Sequence, residues 1–373
     1  MIRIDEIYDN TFWPYIATNI PDTAMFYHDP FGCSDPDSVY VTPKSRAEEL
    51  QNYIYLFDQE PVVFERQKAT WDRLRERTSF GQGDLEQHCV LVTSEKNSEE
   101  VEKLTDYLKG KSFYYFFHGW AALDWYRGYD RTFLITPPRE RTITKTFISP
   151  NRIVGGERLH RVAMLYYFEK LDLFDNHISA PLVCPVENEH IAKISRQLRN
   201  QYPDIEQTFT NSTNFPKLFK GEQTQQMHSC WLSLFEESAE SLLYHVSETV
   251  CFDRKNHLTE KTFKPIAMGM PFVITGTQGS LAYLREYGFK TFGDIWDESY
   301  DLEQDDFKRL EKIAVLLKEL DSKTDSEKQK IFEQCIPIIE HNWNHFYRGD
   351  FADVLWLELT SMMENIRDYL SDR

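Results

Sequence analysis

The sequence predicts an α/β protein with two open sheets, and three observations support this fold class. Apolar runs of strand length alternate with helical patterns along the 373 residues. A Pro-Pro pair within 136–139 interrupts the alternation, because consecutive prolines continue neither a helix nor a central strand. The chain is long enough for two cores. We therefore expect domains over 1–138 and 139–349, and a helix over 350–373 that could cross back to the first domain.

In the first half, strand-like runs lie at 53–57, 89–93, 112–117 and 132–136, with a helical pattern over 98–109. In the second half, a run at 146–149 precedes a long helix over 157–170. Further runs follow at 179–184, 242–246 and 271–275, and the pattern is helical in three pieces from 304 onward. Two such halves would face each other across a cleft at the carboxyl ends of their strands, where doubly wound sheets bind ligands.

Charge and cysteine usage exclude several classes of protein. The formal net charge is -18, from 42 Lys plus Arg against 60 Asp plus Glu, which argues against a non-specific DNA coat. The six cysteines form no CxxC pair, so neither a zinc ribbon nor a disulfide framework is indicated. The start MIRIDEIYDN is acidic, and no stretch approaches the 18 apolar residues of a membrane helix. We expect a cytoplasmic protein without a membrane span.

The strongest motif covers residues 257–276, where a charged helix start precedes a Gly-Met-Pro turn and a buried strand. Thr259 is the expected N-cap. An anion at this helix start would meet free N–H groups and the positive charges of Lys261 and Lys264. Glu260 could accept hydrogen bonds from the hydroxyls of a sugar. The alternative is an ordinary amphipathic helix with these charges in solvent.

A glycine-containing turn follows the strand at 271–275. Gly276, Thr277 and Gly279 belong to this turn, and the predicted helix 280–286 follows it. Its start would be a second helix N-terminus facing the same crevice. This geometry favours a nucleotide ligand.

A second basic segment covers residues 151–161 and follows a predicted strand. Gly155 and Gly156 permit close approach to the backbone, while Arg152, Arg158 and Arg161 offer forked donors to phosphate oxygens. The segment has neither the Walker lysine pattern nor GxGxxG spacing, which disfavours P-loop and nicotinamide-binding proteins. A tight turn with solvated arginines is the alternative.

Three side chains of the first half are predicted general bases. Asp58 and Glu60 follow the run YIYLF, and His118 follows FYYFF, so all three would lie at strand ends. In an apolar cleft, their pKa could suit the deprotonation of an alcohol. Alternatively, Asp58 caps a turn and His118 is a structural histidine.

No metal site is expected. His341 and His345 have helical spacing, but HNWNH has no glutamate at the zincin position, and a pair on a helix surface is the better interpretation. Asp35-Pro-Asp37 has a DxD form in a proline-rich loop, which is typical of a turn.

The stretch TEKTFKPIAMGMPFVITGTQGSLAYLREYGFKTFGDIWDESYD resembles the C-terminal half of GT-B fold glycosyltransferases, especially phage and bacterial members with a TEKxx(K/R)P(I/L)AxGxPF block. The segments FDQEP, HGWxxxDWY and NRxxGGxRxHR are similar to those of the same group. Only the first block is specific, and the likeness covers positions between 58 and 300.

The resemblance implies two Rossmann-like domains facing a cleft, with C-terminal helices packing across both. The second domain would hold a nucleotide sugar, a UDP- or GDP-sugar, as co-substrate, and no tightly bound cofactor or metal is implied. By position, Glu260 would contact the ribose and Lys261 the diphosphate, with Asn151 and Arg158 near the phosphates. The first domain would hold the acceptor.

The acceptor stays open between a hydroxymethylated base of phage DNA and a glycan. A docking edge for DNA could be formed by the basic residues Arg139, Arg141, Lys145, Arg152, Arg158 and Arg161. The acidic net charge argues against DNA. A protein that binds a nucleotide or glycan without catalysis is the alternative to an enzyme. A phosphatase or kinase is disfavoured because P-loop and metal-ligand motifs are absent.

Overall fold

The computed structural model describes residues 2–29, 39–43, 50–78, 88–129, 141–219, 222 and 234–372. The chain divides into two compact units. The first contains Met1–Tyr129, Arg254–His257 and Asp350–Arg373, and the second contains Asp130–Asp253 and Leu258–Gly349. Both units are of the predicted α/β class, because each has a sheet with parallel strands and helices between the strands.

The sheet of the first unit has the order β2-β1-β3-β4-β5, with β2 antiparallel to β1 and the other strands parallel. The strands are β1 (Thr23–Tyr27), β2 (Tyr40–Thr42), β3 (Asn52–Leu56), β4 (His88–Thr93) and β5 (Lys111–Tyr114). The helices are α1 (Trp13–Asn19), α2 (Phe64–Thr78), α3 (Glu99–Leu108) and α4 (Phe117–Leu123), with π-helical turns at Tyr8–Phe12 and Asp124–Tyr129.

Most predictions for this unit are confirmed. The runs at 53–57 and 89–93 correspond to β3 and β4, and the helix over 98–109 corresponds to α3. Ser98 caps α3, since its side chain accepts a hydrogen bond from the backbone N–H of Val101. The run at 112–117 is too long, because the strand ends at Tyr114 and α4 starts at Phe117. The prediction missed β1, and the run at 132–136 and the 136–139 hinge lie outside the described residues.

The sheet of the second unit is parallel throughout, with the order β7-β6-β8-β9. Its strands are β6 (Lys145–Ser149), β7 (His177–Ile178), β8 (Ser241–Ser247) and β9 (Phe272–Thr275). Its helices are α5 (Leu159–Lys170), α6 (Ile191–Ser195), α7 (Ile205–Asn211), α8 (Phe235–Glu240), α9 (Glu260–Ala267), α10 (Ser280–Glu286), α11 (Asp306–Asp321) and α12 (Asp325–Arg348). The strands β8 and β9 are fully buried, as expected when both faces of a parallel sheet are covered.

One predicted strand of this unit is wrong. The run at 179–184 forms no strand, and only isolated bridges occur there, at Ala180 and Val183. Proline cannot donate to a sheet ladder, and Pro181 interrupts this segment. The strand β7 lies just before it and has two residues. The other three predicted strands and the three C-terminal helical pieces are confirmed.

The last helix, α13 (Asp350–Ser371), belongs to the first unit, where it packs on α4, α1 and β5. The Glu358 carboxylate accepts a hydrogen bond of 2.7 Å from the backbone N–H of Phe116. A methyl group on Gly119 would lie 2.9 Å from Leu355 Cδ2, so α4 and α13 pack closely at this glycine. Among the described residues, no helix has the length and apolar character needed to cross a bilayer.

Candidate functional site

The sheet of the second unit has a topological switch point between β6 and β8. The chain leaves β6 through α5 to reach β7 on one side, and β8 then pairs with the other side of β6. Loops after the two strands diverge at such a point and leave a crevice at their carboxyl ends, where open α/β sheets bind ligands. The loops here begin at Pro150 and at Glu248. Most of the predicted donor-binding residues lie on these two loops or next to them.

Glu248 was not predicted, and it organises this edge of the sheet. Its fully buried carboxylate accepts hydrogen bonds from the hydroxyls of Thr259 at 2.5 Å and Thr262 at 2.6 Å, and from the Thr259 backbone N–H at 3.2 Å. The carboxylate therefore joins the end of β8 to the first turn of α9. A carboxylate two residues after the apolar run 242–246 was the sequence signal that could have identified it.

Thr259 is the N-cap of α9, as predicted, and its hydroxyl accepts a hydrogen bond of 3.4 Å from the Lys261 backbone N–H. The ammonium group of Lys261 lies 2.7 Å from Glu260 Oε1 and 3.2 Å from Thr249 Oγ1. Lys261 thus reaches the loop after β8, but its charge is partly compensated by Glu260. The solvated-face alternative is wrong for Glu260 and Lys264, which are 6% and 1% exposed.

Asn151 starts the loop after β6 and is fully buried. Its amide nitrogen donates to the backbone carbonyl and to Oγ of Ser149, at 3.1 and 3.0 Å, and its backbone N–H donates to Ser179 Oγ. Asn151 Oδ1 and Ser247 Oγ, at the ends of the two strands that flank the switch point, have no hydrogen-bond partner within the described chain. Buried polar atoms without partners are costly, so these atoms suit a ligand or water.

The structure separates the three arginines that the sequence grouped as phosphate donors. Arg161 is buried, and its guanidinium donates to the backbone carbonyls of Ile153, Ser247 and Glu248 at 2.9 to 3.1 Å. It holds α5 against the two loops and is not available to a phosphate. Burial lowers the pKa of Arg161 to about 9, and the charge of Arg158 acts in the same direction.

The other two arginines are half-buried. Arg158, in the short 3-10 turn Gly156–Arg158 before α5, is close enough to influence the pKa of Arg161. The charge of Glu260 acts on the pKa of Arg161 in the opposite direction. Burial raises the pKa of Glu222, and the charge of Arg152 is among the influences that lower it.

The glycine pair at the start of α5 is in contact with a carboxylate of the chain itself. Gly156 has a φ of 61°, in the region that favours glycine. A methyl group on Gly155 would overlap both carboxylate oxygens of Glu187, and one on Gly156 would lie 3.3 Å from Glu187 Oε1. The space beside the glycine backbone, which the sequence analysis assigned to a phosphate, is occupied by the Glu187 carboxylate.

The turn 276–279 is not a second anion site. Gly279 precedes α10 with a φ of 80°, and Thr277 is buried. The backbone N–H groups of Leu281 and Ala282 donate to the Asp301 carboxylate at 2.9 and 3.2 Å. An internal carboxylate thus occupies the N-terminus of α10, which corrects the expectation of two free helix N-termini.

The carbonyl of Gly276 is also engaged, because it accepts a hydrogen bond of 3.1 Å from Arg309 Nε. Of the turn residues predicted to bind the donor, Gly276 and Thr277 therefore have structural partners, with the Thr277 carbonyl accepting from Ser280 Oγ at 2.7 Å. The glycines shape the turn between β9 and α10.

In the first unit, Asp58 lies after β3, as predicted, but both its oxygens are engaged. Oδ1 accepts a hydrogen bond of 2.6 Å from the Tyr8 hydroxyl, and Oδ2 accepts one of 2.5 Å from the Tyr115 hydroxyl. Burial raises the pKa of Asp58 to about 6, although the hydrogen bonds from Tyr115 and Tyr8 act in the opposite direction. Each oxygen of the Asp58 carboxylate therefore already accepts a hydrogen bond within the first unit.

Glu60 is half-buried in the same loop. His118 does not follow a strand, because β5 ends at Tyr114 and His118 lies in the first turn of α4. Its ring is 4% exposed and contacts the ring of His257 edge-to-face, at 5.0 Å between centroids. The three predicted bases therefore lie in two places in the first unit, Asp58 and Glu60 in the loop after β3 and His118 in α4.

The predicted basic docking edge does not form. Arg141 is buried, and it donates to the backbone carbonyls of Ser238, Met268 and Gly269. Lys145 pairs with Asp175 at 2.8 Å. Arg161 is also buried, Arg152 and Arg158 are half-buried, and Arg139 lies outside the described residues.

The described residues contain no group of three or more His, Cys, Asp or Glu side chains arranged to hold a metal ion. His341 and His345 donate to the backbone carbonyls of Gly288 and Tyr287, at 2.9 and 2.7 Å, and fasten α12 to the end of α10. Asp35 and Asp37 lie outside the described residues.

Comparison with protein-family models finds no match to this chain. Neither the curated proteins nor the solved structures contain a significant match.

Proposed function

We propose that this protein is a glycosyltransferase that binds a UDP- or GDP-sugar at the carboxyl edge of the second unit's sheet. The observation that carries the proposal is the contact of Lys261 with Thr249, which joins the start of α9 to the loop after β8 at the switch point. A cation, a helix start and a crevice between diverging loops together suit a diphosphate. The resemblance of the 259–301 segment to GT-B enzymes adds the sugar and the transfer reaction.

Transfer from a nucleotide sugar breaks the bond between the anomeric carbon and the diphosphate, so negative charge develops on the leaving group. Preorganised donors that face this charge lower the barrier. The proposed donors are Lys261 and Arg158, with Arg152 beside them. Asn151 offers a ligand only the acceptor Oδ1, because its N–H groups already donate to Ser149 and Ser179. Glu260 pairs with Lys261, and we propose that it also accepts a ribose hydroxyl. No metal is required in this scheme.

A general base must take the proton of the acceptor hydroxyl. Asp58, Glu60 and His118 stay the proposed bases. Since both oxygens of Asp58 are hydrogen-bonded to tyrosines, its proton transfer would pass through Tyr8 or Tyr115. Glu60 has a more accessible side chain, which makes it the simpler candidate of the two carboxylates.

We propose a glycan rather than DNA as the acceptor, because two residues of the basic edge on which a DNA acceptor depended, Arg141 and Arg161, are buried, and Lys145 is paired with Asp175. A DNA acceptor would give binding that weakens steeply with salt, since each neutralised phosphate releases counterions. A glycan acceptor would give little salt dependence. The described cysteines Cys89, Cys184, Cys251 and Cys335 are free, which fits the proposal that the protein works in a cytoplasm, that of the host if it is phage-encoded.

A nucleotide-binding protein without catalysis is the second candidate, favoured by the engaged oxygens of Asp58. Thermal-shift measurements with nucleotides come first, because a ligand at 100 times its Kd stabilises by about 2.7 kcal/mol. The second measurement is release of nucleoside diphosphate from the preferred nucleotide sugar, by wild type, Lys261→Ala and the control Lys312→Ala. Lys312 lies on α11, pairs with Glu303, and serves as a lysine outside the switch-point loops.

We expect slow release by wild type and by Lys312→Ala, and at least about tenfold slower release by Lys261→Ala, equivalent to about 1.4 kcal/mol. Saturable nucleotide binding without release would favour the non-catalytic candidate. If no nucleotide shifts the melting temperature, the proposal is wrong.

A further inference from the structure

Three apolar side chains of α13 are exposed near its N-terminal end. Val354, Trp356 and Leu357 are 41%, 50% and 70% exposed, whereas Leu355 and Leu359 of the same helix are buried. The outer side of an amphipathic surface helix normally carries polar and charged residues. A contiguous apolar patch at such a place is typical of a binding surface.

The indole ring of Trp356 is held by a second tryptophan. Its centroid lies 6.1 Å from that of Trp120 on α4, and the two rings are edge-to-face with an interplanar angle of 82°. Trp120 is 4% exposed, and its Nε1 has no hydrogen-bond partner within the described chain. A buried indole N–H normally finds an acceptor, so this donor indicates a ligand oxygen beside the aromatic pair. The pair is in place before a ligand binds, which lowers the entropy cost of binding.

Polar groups suited to hydroxyls lie one helical turn on either side of Trp356. The exposed carboxylate of Asp353, three residues earlier, has neither an ion pair nor a hydrogen bond with another described residue. Thr360, four residues later, donates its hydroxyl to the Trp356 carbonyl at 2.9 Å, so its oxygen can still accept. Residues at these spacings share one side of a helix. The patch therefore joins an aromatic ring to an unpaired carboxylate and a hydroxyl oxygen.

The size and charge of the patch decide between the occupants it could take. Its apolar side chains present on the order of 300 Å² of surface, far below the roughly 800 Å² per partner that a stable protein interface buries. A second copy of the chain would bring the same unpaired Asp353 carboxylates to the contact, and like charges oppose this. Nucleic acids and anionic lipid headgroups are repelled for the same reason. A neutral ligand with apolar C–H groups and hydroxyl donors fits both the ring and the carboxylate.

We propose that Trp356 and Asp353 bind a sugar residue of the acceptor glycan: the C–H face of the sugar ring packs on the indole, and the sugar hydroxyls donate to the Asp353 carboxylate. This inference rests on the proposed function, and it assigns acceptor binding to α13, which belongs to the first unit. The Trp120 N–H is the donor for a sugar oxygen. Helix α4 carries both Trp120 and the proposed base His118, so one helix connects the sugar-binding surface to a candidate proton acceptor.

The test is calorimetric titration of the full chain with neutral hexasaccharides, namely maltohexaose, cellohexaose, chitohexaose and mannohexaose. Each titration is made with and without the nucleotide that gives the largest thermal shift. Trp356→Ala removes the ring, Trp356→Phe keeps a smaller one, and Asp353→Asn removes the charge but keeps one acceptor oxygen. The matched control is Asp350→Asn, which makes the same change at the exposed start of α13, more than one turn from Trp356. Melting temperatures of the variants show that they are folded.

We expect wild type to bind at least one hexasaccharide saturably, and the Kd of that probe to rise about tenfold or more in Trp356→Ala, equivalent to about 1.4 kcal/mol. The rise should be smaller in Trp356→Phe, because part of the aromatic face stays. Asp353→Asn should raise the Kd about threefold, since a hydrogen bond to a charged acceptor becomes one to a neutral acceptor. Asp350→Asn should change it less than about twofold, because a solvent-exposed charge is screened over that distance.

Unchanged binding by Trp356→Ala, or equal effects of Asp353→Asn and Asp350→Asn, would overturn the sugar surface. A concentration-dependent dimer of wild type that Trp356→Ala abolishes, measured by sedimentation, would identify a second copy as the occupant and also overturn it. If nucleotides shift the melting temperature of wild type but no hexasaccharide binds, this inference is wrong and the donor site stands. If a hexasaccharide binds through Trp356 but no nucleotide binds, the chain is a glycan-binding protein and the proposed transfer is wrong.

Discussion

The buried carboxylate of Glu248 accepts a hydrogen bond of 2.5 Å from the hydroxyl of Thr259. Glu248 directly follows the central strand β8, and Thr259 is the N-cap of α9. One charge-assisted hydrogen bond therefore connects the sheet to the helix that carries Glu260 and Lys261. Such bonds are roughly twice as strong as neutral ones, so the start of α9 is held in place before any ligand arrives.

The first prediction concerns this connection. Glu248→Gln should destabilise the protein by about 2–3 kcal/mol, because its amide NH₂ replaces one of the two oxygens and cannot accept from the threonine hydroxyl that faces it. Thr262→Val removes one donor at similar volume and should cost about 1–2 kcal/mol. The measurement is urea denaturation of both variants and of the double variant. If the two costs simply add, Glu248 and Thr262 do not interact as the 2.6 Å distance indicates.

The second prediction concerns a buried ion pair in the first unit. Lys255 Nζ lies 3.2 Å from Glu95 Oε1, with side chains 2% and 1% exposed, and it also donates to the Val62 carbonyl. Lys255→Met should destabilise the protein by about 3–5 kcal/mol, since it leaves a buried carboxylate without its partner. Glu95→Gln combined with Lys255→Met should recover part of this loss.

The control for the ion pair is Lys103→Met, which breaks the pair with Glu100 on the surface of α3, where the Lys103 side chain is 53% exposed. Exposed pairs contribute only about 0–1 kcal/mol. A similar decrease in the free energy of unfolding for Lys255→Met and Lys103→Met, in the same denaturation experiment, would show that the buried pair contributes no more to stability than the exposed one.

The third prediction is a pH dependence that Asp58 causes. Its pKa of about 6 lies above that of an unfolded aspartate, so the folded chain binds the proton more tightly. The stabilising contribution is complete below about pH 4 and is lost as the pH rises through about 6. Between these limits wild type should lose about 2–3 kcal/mol relative to Asp58→Asn, which cannot titrate.

Denaturation of wild type and Asp58→Asn at several pH values measures this difference, because all other titrating groups are common to the two proteins. A constant difference between pH 4 and 7 would mean that Asp58 titrates below this range. The tyrosine hydrogen bonds would then outweigh burial.

The sequence indicates which loops form the candidate site more reliably than it indicates which side chains in those loops contact each other. The motif 257–276 was found because its helix start and buried strand are local patterns, and Thr259 is its N-cap. Arg161 was grouped with Arg158 because both are arginines in one segment, yet Arg161 points inward to three backbone carbonyls. Local patterns do not show which of two like side chains finds a buried acceptor.

The amino-acid order alone determined the α/β class, most strands, the C-terminal helices and the cap of α9, because these depend on the periodicity of apolar residues and on neighbours within one helical turn. The tertiary structure alone decided which carboxylates meet which helix starts: Glu248 meets α9, Asp301 meets α10 and Glu187 meets the turn before α5. In each case the two partners lie on separate elements, and only the packing of those elements brings opposite charges together. That is why the sequence overestimated the number of helix N-termini left open to a ligand.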